Sequence, residues 1–135
     1  MELLIKYNES NLFGKENNLV LKVLDKGHIE YEMILEEKHM ALPDVVHGGA
    51  IAGLMDAVLS VAAFSKVAEE NKQVATVEFK INYLKSVKKK SVLKGIGKVI
   101  KSGERLMITK GEIYDEKGDL VAIGTGTIIP FQKKR

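Results

Sequence analysis

Hydrophobic and polar positions alternate along two stretches near the amino terminus and along four stretches in the second half of the chain. Alternation with a period of two is typical of half-buried strands. Asp25-Lys26-Gly27 separates the first two stretches and has the composition of a hairpin turn. The pattern predicts a hairpin, one helix and then four antiparallel strands. The predicted strands cover residues 18–24, 28–35, 74–83, 91–101, 105–114 and 120–129.

The stretch 74–83 alternates most strictly, and the alternation predicts which residues share a face of the strand. One face is predicted to carry Val77, Phe79, Ile81 and Tyr83, and the other Thr76, Glu78, Lys80 and Asn82. Two other stretches are less regular. Residues 2–14 are consistent with a short helix or a turn ending at Gly14, and an irregular segment is expected to pass through Pro43.

A continuous apolar segment runs from about Gly48 to Ala68, and Asp56 is its one charge up to Ser65. Its length is marginal for a membrane span and its glycines weaken that interpretation, so we predict a buried helix and no membrane association. A helix that is apolar around its whole circumference must be covered on every side. A curved sheet would cover one side, and a second subunit would cover the rest.

Composition narrows the class of protein. The 135 residues predict a single domain over 1–135, with 45% hydrophobic and 29% charged residues. The absence of cysteine excludes disulfides, thiolate metal ligands and a cysteine nucleophile, and the three histidines lack metal-site spacing, so no metal is expected. A net charge of +3 without a nucleic-acid motif gives no reason to expect a nucleic-acid partner. The start of the chain does not look like a signal peptide, which predicts a cytoplasmic location.

Two glycines, Gly48 and Gly49, stand where the apolar helix is predicted to begin. Without a Cβ, they leave the free N–H groups of the first helical turn open to a ligand. These groups, with the positive end of the helix dipole, suit an anion or a developing oxyanion. The alternative is that the glycines only allow the preceding loop to pack closely on the helix.

Asp56 lies in the middle of the apolar helix, where its charge is costly to bury. The positions three and four residues away hold Ala52, Gly53, Leu59 and Ser60, so the pattern does not describe a solvated face. Asp56 is therefore paired, hydrogen-bonded or functional, and a structural buried aspartate is the alternative.

Helix geometry relates the two features. Gly48 and Asp56 are eight residues apart, which is about 12 Å at 1.5 Å per residue. Reacting groups must come within roughly 3 to 3.5 Å of one carbon, so one helix cannot supply both groups to the same atom. Two antiparallel helices related by a two-fold axis can, and they would form two equivalent composite sites. Shared use of these groups therefore predicts a homo-oligomer.

At these residues the chain resembles the hotdog-fold thioesterases, in particular the phenylacetate-degradation and acyl-CoA thioesterase 13 type branch. HGGAIAGLMDAVLS is similar to the helix signature of that branch, TVEFKINYLK to its following strand and GDLVAIGTGT to its last strand. The resemblance implies an α+β hotdog fold, with one long helix wrapped by a curved antiparallel sheet of five to six strands. It also implies a thioester hydrolase acting on acyl-CoA, as an obligatory dimer that pairs further into a tetramer, with no cofactor because CoA is part of the substrate.

The resemblance also implies roles for single residues. Gly48 would supply the oxyanion-hole amide, the partner's Asp56 would activate water or attack the carbonyl, and Thr76 would help to hold the water. His47 would contact the thioester, although a turn-stabilising role is an equal alternative. Relatives usually carry an asparagine in the loop before this histidine, whereas residues 41–46 here contain none.

Contacts to the CoA portion are expected from cations near the ends of the strands that flank the helix. Arg105 is the one arginine besides Arg135, and a guanidinium grips phosphate with two hydrogen bonds. It follows a turn that lies near the nucleotide in the resembling family, and residues 83–90 form the matching loop on the other side. The expected substrate contacts are Gly49, Tyr83, Lys85, Lys88, Ser102, Gly103 and Arg105. For the lysines at 88–90, a solvated edge that prevents sheet aggregation is the alternative.

Two other functions use the same fold. A hotdog dehydratase or hydratase would need a histidine and an acidic residue arranged for proton abstraction, and the spacing of His47 and Asp56 does not match. A non-catalytic acyl-CoA binding or sensing protein would use the same groove without turnover, and the missing loop asparagine favours it. We expect thioester hydrolysis.

Overall fold

The computed structural model describes residues 2–132 and contains three helices and eight strands in that range. The helices are α1 (Glu2–Ser10), α2 (Leu12–Glu16) and α3 (Gly48–Val67). The strands are β1 (Leu19–Asp25), β2 (His28–Ile34), β3 (Met40–Leu42), β4 (Val45–Val46), β5 (Lys72–Tyr83), β6 (Val92–Ser102), β7 (Met107–Tyr114) and β8 (Leu120–Gln132). Short 3-10 turns occupy Glu37–His39 and Ala68–Glu70.

Six strands form one antiparallel sheet in the order β1-β2-β6-β7-β8-β5. The predicted amino-terminal hairpin and the four later strands are confirmed. Gly27 in the hairpin turn has a φ of 76°, a conformation that glycine adopts without steric cost. The segment expected to be irregular contains the small β3–β4 hairpin, which turns at Pro43 and Asp44.

Helix α3 packs directly against one face of the sheet, and glycines in the strands allow the close approach. A Cβ at Gly95 would lie 2.7 Å from Cγ1 of Val58, and one at Gly111 would lie 2.8 Å from Sδ of Met55. Leu54 and Leu59 of the same helix are also fully buried. Together with the 3-10 turn that follows it, α3 is long and apolar enough over Gly48–Glu70 to cross a membrane, but 67% of its most apolar stretch is buried inside the protein. It is the core helix, as predicted.

The predicted division of β5 into two faces is wrong in its first half. The register with β8 shifts between Thr76 and Glu78, which identifies a β-bulge at Val77. The extra residue turns Val77 outward, where 57% of it is exposed, while Phe79 and Ile81 pack against the core. Thr76, predicted on the opposite face from Phe79, faces α3 as well, and Tyr83 at the strand end is exposed.

Residues 2–16 cover the side of α3 that faces away from the sheet. Leu4 of α1 is buried, and the Tyr7 ring meets the Phe64 ring of α3 edge-on at a centroid distance of 5.4 Å. Phe13 of α2 lies over Gly53, where a Cβ would stand 2.8 Å from the ring. Part of the cover that we expected from a second subunit is therefore supplied by the chain itself.

His39 holds together the loop that leads into α3. Its ring is buried, with Nδ1 accepting the N–H of Glu36 at 2.8 Å and Nε2 lying 3.1 Å from Oδ1 of Asn17. Its carbonyl accepts the N–H of His47 at 2.8 Å. Burial and the nearby Lys38 charge lower the pKa of His39, so the neutral ring is the folded form.

The stability of the fold is expected to depend on this titration. Because the His39 pKa is lower in the folded state, its contribution is complete above the unfolded value of about 6.5 and is lost as the pH falls from there through the folded pKa. Urea unfolding between pH 7.5 and 5 should show a decreasing free energy of unfolding, and His39→Gln should remove part of that decrease. His28→Gln, at a half-buried histidine, is the matched control. An equal pH dependence in wild type and His39→Gln would contradict the assignment.

Candidate active site

Helix α3 begins with one capped amide and one open amide. His47 is the N-cap residue, and its Nδ1 accepts the N–H of Gly49 at 2.7 Å. With Nδ1 as acceptor, the neutral ring carries its proton on Nε2. Among residues 2–132, none accepts a hydrogen bond from the N–H of Gly48. The turn-stabilising role of His47 is therefore present in the structure, and Gly48 retains a donor at the positive end of the helix.

Gly48 and Gly49 differ in whether the surrounding structure has room for a side chain. A Cβ at Gly49 would lie 2.8 Å from Nδ1 of His47, so the capping contact requires glycine there. A Cβ at Gly48 would meet the Tyr83 ring at 3.6 Å, which is an ordinary contact. Nothing in the described part of the chain therefore requires glycine at position 48, although the Tyr83 hydroxyl donates to the Gly48 carbonyl at 2.9 Å.

Asp56 and Thr76 form the second half of the candidate site. The Thr76 hydroxyl donates to Oδ1 of Asp56 at 2.8 Å, and both residues are half-buried. The bulge at Val77 makes the hydrogen bond between Thr76 and Asp56 possible, because it turns Thr76 toward α3. The hydrogen bond fixes one carboxylate oxygen and leaves Oδ2 without a protein partner among residues 2–132. The half-buried Asp56 is therefore both hydrogen-bonded and available for chemistry.

Tyr7 is a neighbour of this carboxylate that the sequence did not indicate. Burial, and then the negative charge of Asp56, raise the pKa of the Tyr7 phenol. The spacing of Leu3, Leu4 and Tyr7 in α1 is the amphipathic signal that could have placed this helix on the core.

The predicted CoA contacts divide between two ends of the sheet. Tyr83 pairs with Ala122 near one end, whereas Thr76 pairs with Ile128, which pairs in turn with Met107 near the other. Seven strand residues, about 23 Å, separate Tyr83 from Thr76. One end carries Gly48, Gly49, Tyr83, Lys85 and Lys88, and the other carries Asp56, Thr76, Ser102, Gly103 and Arg105.

The cations at the two ends of the sheet differ in whether a carboxylate already neutralises them. Asp115 and Asp119 hold the Lys85 ammonium at 2.7 and 2.6 Å, and these contacts raise its pKa. Lys88 and Arg105 are exposed and have no ion pair within residues 2–132. The charges of Arg105 and Lys88 are therefore open to an anion, whereas that of Lys85 is neutralised. A groove of about 270 Å³ runs beside Gly48 between Val45, Tyr83 and Lys85.

The sequence pattern of the thioesterase superfamily matches residues 44–122, which include the start of α3, Asp56 and Thr76. The chain belongs to the thioesterase superfamily. The match covers more than half of the 135 residues and spans both parts of the candidate site.

Three known proteins similar to this chain bear on its ancestry and its fold. The "putative esterase" of Saccharolobus solfataricus is 28% identical over 132 residues, covering 98% of this chain and 83% of that protein. The E. coli PaaI protein of the phenylacetic acid degradation operon superposes with a TM-score of 0.89 at 16% identity, covering 98% of this chain and 94% of that one. A hypothetical thioesterase of Streptococcus pneumoniae, solved with coenzyme A, gives a TM-score of 0.80 at 19% identity and coverages of 96% and 99%. The two structures show that this thioesterase has the hotdog fold.

The contrast between the two glycines predicts different effects on stability. Gly49→Ala should lower the free energy of unfolding by about 0.5 to 2 kcal/mol, because the new Cβ displaces the capping ring. Gly48→Ala should leave it unchanged or raise it by up to about 1 kcal/mol, since the Cβ fits and alanine favours helix. Denaturant unfolding of both variants checks this. Equal losses would show that position 48 is also constrained by contacts within its own chain.

Proposed function

We propose that this thioesterase hydrolyses the thioester of an acyl- or aryl-acyl-CoA at sites shared between two subunits. The observation that carries the proposal is the pair of groups on α3: an open N–H at Gly48 and a carboxylate at Asp56 whose geometry Thr76 fixes. The first suits a developing oxyanion and the second an attacking water or the carbonyl carbon itself. No cofactor is needed beyond the CoA of the substrate, and the cytoplasmic location stays a prediction.

The free edge of the sheet supports the presence of a second subunit. Strand β5 is an edge strand of 12 residues, and an unpaired edge is a template for another strand. Antiparallel pairing of β5 with its copy about a two-fold axis brings the Tyr83 end of one strand beside the Thr76 end of the other. Gly48, whose carbonyl accepts a hydrogen bond from Tyr83, then lies near the partner subunit's Asp56.

The face of α3 on this side permits such an approach. Gly49, Ala52 and Asp56 follow each other at helical spacing, and none of them is fully buried. Small side chains along one stripe let two helices come close together. A dimer of this kind would cover the part of α3 that α1, α2 and the sheet leave open. Pairing of dimers into a tetramer remains a prediction.

In the composite site, the thioester carbonyl oxygen accepts the N–H of Gly48 and lies at the positive end of α3. Asp56 of the other subunit either takes a proton from water, whose oxygen attacks the carbonyl carbon, or attacks that carbon itself before water releases the acid. In both routes the carbon–sulfur bond breaks and the CoA sulfur takes up a proton. Thr76 acts as a positioning residue, because its hydroxyl restrains Oδ1 of Asp56.

The same two-fold arrangement reunites the separated CoA contacts. The end of the sheet with Tyr83 and Lys88 in one subunit approaches the end with Ser102, Gly103 and Arg105 in the other. We assign the phosphates of CoA to Arg105 and Lys88 in this arrangement. That the Streptococcus pneumoniae relative was solved with coenzyme A supports a CoA ester as the substrate.

One observation favours a second candidate, a protein that binds acyl-CoA without turnover. The β3–β4 hairpin before His47 contains no asparagine that could orient water or the carbonyl. A dehydratase or hydratase is less well supported, because Nδ1 of His47 already accepts the Gly49 N–H within the helix cap.

Replacement of the carboxylate separates hydrolysis from binding. Asp56→Asn keeps the shape of the side chain and an acceptor for Thr76, but removes the base or nucleophile, so kcat should fall by about 100-fold to 10,000-fold. Thiol release from acetyl, octanoyl and phenylacetyl esters of CoA measures turnover, and calorimetric titration with CoA measures binding. Asp25→Asn, at an exposed aspartate in the hairpin turn, is the matched control. Undiminished turnover by Asp56→Asn would refute the proposed mechanism, and CoA-ester binding without turnover in wild type would favour the second candidate.

A further inference from the structure

A cavity of about 580 Å³ lies between the amino-terminal helices and the outer side of α3, next to the start of β5. Most of its wall is apolar, and Lys6 is the one charged residue in the lining. The apolar wall consists of Leu3, Tyr7, Leu12, Val61, Phe64 and Val74. A cavity of this size and polarity is typical of a small-molecule site and suits a hydrocarbon group far better than a phosphate.

The cavity begins next to the candidate carboxylate. Ser60 lines it and stands one helical turn after Asp56 on the same face of α3, with its hydroxyl donating to the Asp56 carbonyl at 2.8 Å. Val74 lines it two residues before Thr76, on the same face of β5. Tyr7 lies in the wall close enough to Asp56 for the carboxylate charge to act on its phenol. Three different elements thus lead from the Asp56–Thr76 pair into the cavity.

A thioester under attack at Asp56 has two substituents on its carbonyl carbon. The CoA side is large and charged, and it requires the exposed cations. The acyl side requires an apolar space that starts at the same carboxylate, and the cavity provides it. Its wall follows α3 from Ser60 to Phe64, so its far end is eight residues from Asp56. That is about 12 Å, roughly the reach of an extended chain of eight to ten carbon atoms.

We propose that this cavity is the acyl-group pocket, that α1 and α2 form its outer wall, and that it selects medium-chain acyl groups. The inference rests on the proposed hydrolysis of CoA esters and names the substrate class of that same site. It also gives the amino-terminal helices a role beyond covering the core, since without them the outer side of α3 would have no wall facing Ser60 and Phe64.

Two variants that fill the cavity from opposite sides test the proposal in the full-length protein. Ser60→Leu adds volume on α3 beside Asp56, and Leu12→Trp adds volume on α2 at a position that is 79% exposed and therefore tolerant of a larger side chain. For each, kcat/KM is measured with acetyl, octanoyl, palmitoyl and phenylacetyl esters of CoA. Wild type should prefer the octanoyl ester, and both variants should lower the octanoyl-to-acetyl ratio of kcat/KM at least about tenfold.

Ile5→Trp is the matched control for Leu12→Trp. Ile5 is 55% exposed on α1 and lies outside the cavity lining, so the same added side chain should leave the ratio unchanged. Thermal unfolding of each variant verifies that it is folded. A wild-type preference for the phenylacetyl or palmitoyl ester, or unaltered ratios in both filled variants, would overturn this inference and leave the proposed hydrolysis intact. Absence of turnover with every ester would overturn both.

Discussion

The proposed shared site depends on the distance between two chemical groups along helix α3. The open amide of Gly48 and the carboxylate of Asp56 are eight residues apart on α3, about 12 Å, and the helix is too rigid to bring them together. Each group is oriented by its surroundings. Gly48 lies at the positive end of the helix, and the Thr76 hydroxyl donates a hydrogen bond to Asp56. A reaction that uses both groups therefore needs a second copy of the helix, so the proposed chemistry and the proposed assembly depend on each other.

The rest of the fold keeps this helix rigid and leaves one stripe of it accessible. Glycines such as Gly95 and Gly111 let the sheet press against Val58 and Met55, and α1 and α2 cover the opposite side through contacts such as Tyr7 on Phe64. The part of α3 that remains open includes Asp56, which contacts Thr76 of the edge strand β5, and it carries small and polar residues. The bulge at Val77 then turns Thr76 inward, so the edge strand that could bind a partner also holds the carboxylate.

Sequence periodicity predicted the elements that have a strong and uniform pattern. The hairpin, the buried helix starting at Gly48 and the four later strands all follow from it, because burial on one face imposes a period on the residues. The faces of β5 did not follow, since a bulge inserts one residue and reverses the alternation without a clear signal at Val77. The chemistry of isolated residues made Gly48 and Asp56 candidates, whereas the closeness of Tyr7 to Asp56 depends on how α1 docks, which is a tertiary contact.

Subunit complementation tests the shared site most directly. Proline is tolerated at the first position of a helix and has no N–H, so Gly48→Pro removes the proposed oxyanion donor while α3 is retained. Gly48→Pro and Asp56→Asn should each be inactive alone. After joint unfolding and refolding of equal amounts, half of the dimers would be mixed and each would contain one intact site, so about a quarter of wild-type thiol release should return. Recovery near that level is the predicted result, and a mixture as inactive as its two components would contradict a site built across the subunit boundary.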